Sequence, residues 1–322
     1  MRAVVGVAGV AVFAGLVVWL QDMSVFPAYR RYAGIAGLPG APELDKDVGW
    51  MDAWPRDRVR LEQLWLSLPD GTVVHAVHVT PTASTTTQAP GGGTAGTVGT
   101  AVYCHGNGET IEYPNGNVLA MVLRGGMDVI SVEYPGFGRS TGRPTEASIA
   151  AAVSSAALHA RTRLARPHSR IVLYGTSLGG AAVSRALQQE WEAAGARYAG
   201  LVMDSTFSSI ADVPGVPWWL RWAILHPLDS AEALRASGPT PVLVVSSRDD
   251  TMLLEATHAP RLVEAASADT HRRDDADAVA VAWIKRRGHH MLPSLLSNKG
   301  AEVMAWMHAA LKSDAGSGSL DA

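Results

Sequence analysis

Six short apolar runs recur along the chain with longer segments between them: Thr100–Tyr103, Met127–Val132, Ile171–Tyr174, Leu201–Met203, Val242–Val245 and Val279–Ile284. This rhythm constrains the fold more than any other feature. A short apolar run bounded by turn residues reads as a buried strand. The stretches between, such as EASIAAAVSSAALHARTRL (146–164) and LGGAAVSRALQQEWEAA (178–194), have the length and composition of helices. Alternating strands and helices build a mostly parallel sheet with helices on both faces, an α/β architecture. In such sheets functional groups gather just beyond the carboxyl ends of the strands. The residues that follow each run are therefore where chemistry is expected.

Two upstream regions depart from the rhythm. LEQLWLSLPDGTVVHAVHV reads as two strands around an Asp70-Gly71 turn, a hairpin signal. The stretch TASTTTQAPGGGTAGTVG (82–99), rich in threonine and glycine, reads as a surface loop. At the amino terminus, Val4–Leu20 carries neither charge nor proline. That length lies at the short end of what spans a bilayer core, and Trp19 suits the interface. The flank WLQDMSVF offers no good cleavage site, so a retained single-pass anchor is expected over a cleaved signal or a buried helix. Positive charges divide almost evenly about the run and leave its orientation open. The expected organisation is a membrane anchor (1–22), a connecting segment (23–58), a catalytic domain (59–312) and a disordered tail (313–322).

Composition removes some function classes. The net charge of −3 gives no electrostatic case for nucleic acid. The single cysteine, Cys104, excludes an intrachain disulfide framework and a cysteine-rich metal site. No metal and no organic cofactor are expected.

Three of the runs end in residues that make sense together. After Ile171–Tyr174 comes Gly175-Thr176-Ser177-Leu178-Gly179, a G-x-S-x-G turn between a strand and a helix. Small glycines leave room for a strained turn that exposes a serine, and the helix amino terminus favours negative charge developing there. A serine nucleophile needs a base, and the base needs an orienting acid. After Val242–Val245 stand Asp249 and Asp250; after Val279–Ile284 stand His289 and His290. Each pair alone is an ordinary surface turn. Serine, acid and base in that order, each behind its own strand, form a triad. Asp250, with Leu253 behind it, is the first choice of acid and Asp249 the alternative. His289, directly after a glycine, is the first choice of base and His290 the alternative. The oxyanion hole is expected from the backbone N–H groups of Leu178 and of Asn107, in the YCHGNGE turn. His105 in that turn is expected to hold the loop and not to act as a base.

Taken together, YCHGNGE, VEYPGFGRSTGRPT, YGTSLGG, MDSTFSSI, SSRDDTMLL and RRGHHML resemble the α/β-hydrolase-domain serine hydrolases, and more narrowly their membrane-anchored branch, over about residues 60–312. The resemblance implies an α/β-hydrolase fold with a short lid. It also implies an esterase, lipase or lysophospholipase activity on a small-molecule ester or lipid, at a membrane. The acid strand ends VSSRDD and the base loop reads RRGHHM, both unlike the family's commoner residues. Between Asp204 and Pro241, where the family places its lid, Trp218, Trp219 and Trp222 offer either core packing or an apolar roof over an acyl pocket. SADTHRRDDADAV (267–279) reads as a charged, solvated surface loop. The expected activity is ester hydrolysis through an acyl-enzyme. An acyltransferase using the same triad, or a non-catalytic lipid-binding protein with the same fold, are the alternatives.

Overall fold

The computed structural model describes residues 50–82, 97–213, 227–250, 253, 257–272, 275, 278–285 and 293–313. Eight strands form one sheet: β1 (Val59–Ser67), β2 (Val73–Pro81), β3 (Thr100–Cys104), β4 (Asp128–Val132), β5 (Ile171–Thr176), β6 (Gly200–Asp204), β7 (Val242–Ser247) and β8 (Val279–Ile284). Their spatial order is β1-β2-β4-β3-β5-β6-β7-β8. β2 runs antiparallel to both β1 and β4, and every pairing from β4 to β8 is parallel. The mostly parallel α/β architecture expected from the rhythm, and the α/β-hydrolase fold implied by the resemblance, are observed, with all six apolar runs present as strands. The Asp70-Gly71 turn closes the β1–β2 hairpin: Gly71 takes φ +84°, and Asp70 accepts the Thr72 N–H at 2.9 Å.

Helices α1 (Gly116–Leu123), α2 (Glu146–Arg163), α3 (Leu178–Ala194), α4 (Ser230–Leu234), α5 (His258–Ala268) and α6 (Gly300–Ser313) cover the sheet. The central strands alternate between two cores, as period-two geometry requires. Val102, Leu173, Met203 and Val244 face a core shared with α2, α3, α4 and α5. Tyr103, Tyr174, Val202 and Val245 face a core shared with α1 and α6. Each fully buried aliphatic side chain of this kind contributes about 1.5–3 kcal/mol of transfer free energy. Helix α2 presents small residues, Ala150, Ala156, Ala157 and Ala160, to its core. It begins at a reciprocal cap in which Thr145 Oγ1 accepts the Ser148 N–H and Ser148 Oγ accepts the Thr145 N–H.

Two buried groups on the central strands matter below. Cys104, at the end of β3, is fully buried, and burial pushes its thiol pKa far above the ordinary range. Asp128, at the start of β4, accepts from His78 Nε2 (3.0 Å), Thr97 Oγ1 (2.5 Å) and Thr100 Oγ1 (3.0 Å), and lies 3.4 Å from Arg166 Nη2.

Other expectations meet the structure differently. The 267–279 stretch is not simply solvated: Asp269 and Arg272 are buried. The Arg272 guanidinium donates to the carbonyls of Thr240, Leu234 and Ala266 and to Ser237 Oγ, while Asp269 Oδ2 accepts the Gly238 N–H. Five fixed donors on one planar group let the turn use an arginine as an internal brace. Burial lowers its pKa to about 10, partly countered by Asp269. Trp54, in the stretch read as connecting, is buried and donates to the Glu112 carbonyl at 3.3 Å. Val4–Leu20, the tryptophans of the expected lid and the tail beyond Ser313 lie outside the described residues. Among the described residues no helix is long and apolar enough to cross a membrane.

Candidate active site

The strand order reverses direction at β3: β4 lies on one side of it and β5 on the other. The carboxyl ends of β3 and β5 therefore diverge into connections on opposite sides of the sheet, the topological switch point at which open α/β sheets bind their ligands. Ser177 stands immediately after β5 and caps α3. Its backbone has φ +54° and ψ −114°, outside the regions that side-chain-bearing residues ordinarily occupy. Strain of this kind persists only where the surroundings enforce it. Here the Ser177 N–H donates to the Asp204 carbonyl at 2.9 Å, and its own carbonyl accepts the Gly180 N–H at 3.0 Å. The glycines are required by contact. A Cβ at Gly179 would strike the Cys104 carbonyl, and one at Gly175 would strike the Gly179 carbonyl. The elbow is thus pressed directly against the end of β3.

That close approach brings the loop after β3 beside Ser177. Asn107 is half-buried in this loop, and a Gly106–Glu109 turn follows it with a 3.1 Å hydrogen bond. Leu178 is buried and opens α3, so its N–H is one of the four that an α-helix leaves without an internal acceptor. His105, at the root of the loop, is buried. Its Nε2 lies 2.6 Å from Glu133 Oε1 and its Nδ1 2.7 Å from the Gly106 carbonyl. Both partners are acceptors, so both ring nitrogens act as donors and the ring is the imidazolium. Burial opposes that charge, but Glu133, by charge and hydrogen bond, and the Gly106 carbonyl hold the pKa above the usual histidine range. A ring so occupied holds the loop and takes no proton from a nucleophile. Glu133 Oε2 also accepts from Thr110 Oγ1 at 3.1 Å and the Ile111 N–H at 3.3 Å, and Tyr134 donates to the His105 carbonyl at 2.6 Å.

Beyond β7 the two aspartates differ. Asp249 is exposed; Asp250 is buried, and its Oδ1 accepts the N–H of buried Leu253 at 2.8 Å. Both stand at the carboxyl edge that carries Ser177, with β6 between β5 and β7. His289 and His290 lie outside the described residues. Among the described residues no group of His, Cys, Asp and Glu could hold a metal ion.

The structure gives roles to side chains inside the quoted motifs to which the sequence assigns none. Glu133 braces the loop after β3; it lies in the VEYPGFGRSTGRPT stretch that carries the resemblance, directly after an apolar strand, but the sequence assigns it no role there. Asp204, at the end of β6, is fully buried and likewise lies in a quoted stretch, MDSTFSSI, that assigns it no role.

Residues 96–282 match the model of a family described as serine aminopeptidase, S33. An uncharacterized protein of Mycobacterium tuberculosis strain H37Rv is 35% identical over 175 residues, which take in 50% of this chain and 59% of that protein. The chain thus spans little more than half the length of that relative. The α/β-hydrolase domain-containing protein WAV2 of Arabidopsis thaliana is 26% identical over 66% of this chain and 62% of its own length. Among solved structures, the Pyrococcus furiosus esterase Pf2001 superimposes with a TM-score of 0.56 at 14% identity, covering 83% of this chain and 95% of that one. The Thermus thermophilus protein TT1662 does so with a TM-score of 0.53 at 19% identity, covering 80% and 99%. At these identities the two structures speak to the fold.

Proposed function

The chain belongs to the serine aminopeptidase S33 family of α/β-hydrolases, and on that premise we propose that it hydrolyses carboxylic esters, acyl esters or lipids among them, through Ser177. The observation that carries the reading is the strained backbone of Ser177, enforced at the amino terminus of α3 where the sheet order reverses. In this reading Ser177 Oγ attacks the ester carbonyl carbon while His289, or its neighbour His290, takes the hydroxyl proton. Asp250 fixes the imidazole tautomer and stabilises the imidazolium. The N–H groups of Leu178 and Asn107 receive the negative charge that forms on the carbonyl oxygen. The protonated base then hands its proton to the departing alkoxide, and an acyl-enzyme remains on Ser177. Water, activated by the same base, attacks the acyl carbon, releases the acid and restores the serine. Two donors in place before the reaction begins cost no reorganisation when the charge develops, and each is worth about 10²–10³ in rate.

Ser177→Ala tests the reading. Purified variant and wild type are compared by fluorophosphonate labelling and by turnover on esters of graded acyl length. Aminoacyl amides are run alongside, because the family is described as aminopeptidase. Turnover is expected to fall by at least about three orders of magnitude, with labelling lost and the melting temperature preserved. Near wild-type turnover in the folded variant refutes the assignment.

The same proposal places Val4–Leu20 in a bilayer as an anchor, on the strength of its uncharged length. A form lacking residues 1–22 is expected to appear in the soluble fraction with its activity intact; a full-length chain that is already soluble overturns this part.

A further inference from the structure

Asp204 is a fully buried carboxylate with no role in the steps above. Its Oδ2 accepts from Tyr174 Oη at 2.8 Å and from Asn117 Nδ2 at 3.4 Å. Its Oδ1 accepts from Ser294 Oγ at 2.6 Å and from Ser205 Oγ at 3.2 Å. A carboxylate offers about four lone-pair sites, and these four donors occupy them. That occupancy leaves no site for an imidazole, so Asp204 is not a third candidate for the triad acid. All four donors are neutral. A buried carboxylate satisfied only by neutral donors is an expensive arrangement, justified by what it joins and not by the energy it returns.

What it joins are three separate parts of the carboxyl edge. Tyr174 lies on β5 just ahead of Ser177, and the Asp204 carbonyl itself receives the Ser177 N–H. Asn117 sits in the first turn of α1, downstream of the loop that carries Asn107, and its Oδ1 receives the Leu295 N–H at 3.0 Å. Ser294 and Leu295 form the 3-10 turn that follows closely on His289 and His290. Just past β8, ahead of the histidines in the chain, the Lys285 N–H donates to Asn298 Oδ1 at 2.8 Å. Ser294, beyond the histidines in the chain, is hydrogen-bonded to the end of β6, two strands from β8. Asp204 is the group at which that second tether meets the nucleophile's own strand.

We propose that Asp204 is a positioning residue for the base: by holding Ser294 it anchors the turn that follows His289 and His290 in the chain to the strand end whose carbonyl receives the Ser177 N–H. The proposal rests on the reading of Ser177 as nucleophile and of one of these histidines as base.

The test compares wild type, Asp204→Asn, Ser294→Ala, the double variant and Ser177→Ala. Each is assayed for kcat, KM, the pH profile of kcat/KM, fluorophosphonate labelling rate and melting temperature. A catalytic group displaced by about 1 Å costs on the order of 100-fold. Asp204→Asn is therefore expected to lower kcat roughly 10- to 100-fold, with KM little changed and labelling slowed in parallel. The acidic limb of the profile, which reports the base, is expected to move. Ser294→Ala moves the same quantities in the same direction by less. The double variant is no worse than Asp204→Asn, because both changes cut one tether. Wild-type kcat, labelling rate and pH profile in folded Asp204→Asn overturn the proposal, even if its melting temperature falls. Should Asp204→Asn not fold, unchanged kcat and pH profile in Ser294→Ala overturn it equally. Full turnover in Ser177→Ala instead removes the reading on which the proposal rests.

Discussion

Asp128 and Asp204 are both buried, both sit on central strands, and both collect several hydrogen bonds, yet they stand at opposite ends of the sheet and keep different company. Asp128, at the amino end of β4, is met by His78 and Arg166 as well as by two threonines. Asp204, at the carboxyl end of β6, is met by a tyrosine, an asparagine and two serines. At the amino end a carboxylate is paired with basic partners drawn from β2 and from the residues after α2, and the result is a closed joint between elements. At the carboxyl end, among the described residues, no cationic side chain meets Asp204, while His105 is held charged two strands away by its own carboxylate, Glu133. Local burial is the same. The difference lies in whether the neighbouring chain ends must stay available for chemistry.

The sharpest way to break this contrast is through the other acid of the carboxyl edge. Asp250→Asn is expected to lower kcat by roughly four orders of magnitude, by analogy with removal of an orienting triad carboxylate, while exposed Asp249→Asn leaves turnover near wild type. Steady-state kinetics on one ester decides it; the larger loss at Asp249 would move the acid to the exposed turn.

The next effect concerns stability alone. Asp128→Asn removes the carboxylate that Arg166 and His78 meet and is expected to cost roughly 3 kcal/mol, read as a lower urea midpoint. The kcat of the folded enzyme is expected to be unchanged. A kinetic defect as large as that of Asp204→Asn would erase the distinction between the two ends.

The smallest effect is in pH, and its sign differs between the ends. Burial works against ionisation of Asp128, but hydrogen bonds from His78 and Thr97 and the charges of His78 and Arg166 hold its pKa below the usual value. Its contribution is complete above the unfolded carboxyl pKa of about 4 and is lost as pH falls through the lowered folded value. His105 has a raised pKa. Its contribution is complete below the unfolded histidine pKa of about 6.5 and is lost as pH rises through the folded value. His75 adds to the acid side: burial lowers its pKa to about 4, so stability falls as the pH drops from about 6.5 towards that value. Melting temperatures across pH, for wild type against Asp128→Asn and His105→Gln, are expected to show the acid limb flattened in the first variant and the alkaline limb in the second. The reverse assignment would contradict both pairings.

Much of this was legible in the chain because it is written in local patterns. Apolar runs fix strands, small residues fix the elbow, and Asp70-Gly71 fixes the hairpin; none of these needs a distant partner. Leu178 and Ser177 could be located for the same reason, as the hinge between a run and a helix. The polar groups were harder. Asp204 and Ser294 meet across 90 positions of sequence, and Asp128 and His78 across 50. Nothing in the neighbourhood of either residue announces its partner. Arg272 illustrates the opposite error. A string of charges reads as a solvated loop, but one arginine in it finds four internal acceptors, and only the fold can supply those. The choice between Asp249 and Asp250 lay between these extremes, since adjacent residues differ in burial through the curl of one turn.

Cys104 gives the molecule a built-in clock. Its thiol is sealed inside the sheet and held protonated, so an aqueous disulfide reagent finds neither access nor thiolate while the strands are closed. Its carbonyl is also the surface against which the Ser177 elbow is pressed. Modification of this one sulfur therefore marks the moment at which the floor beneath the nucleophile opens. Because the chain contains a single cysteine, the signal comes from that place alone, and the lifetime of the closed site can be timed without introducing any probe.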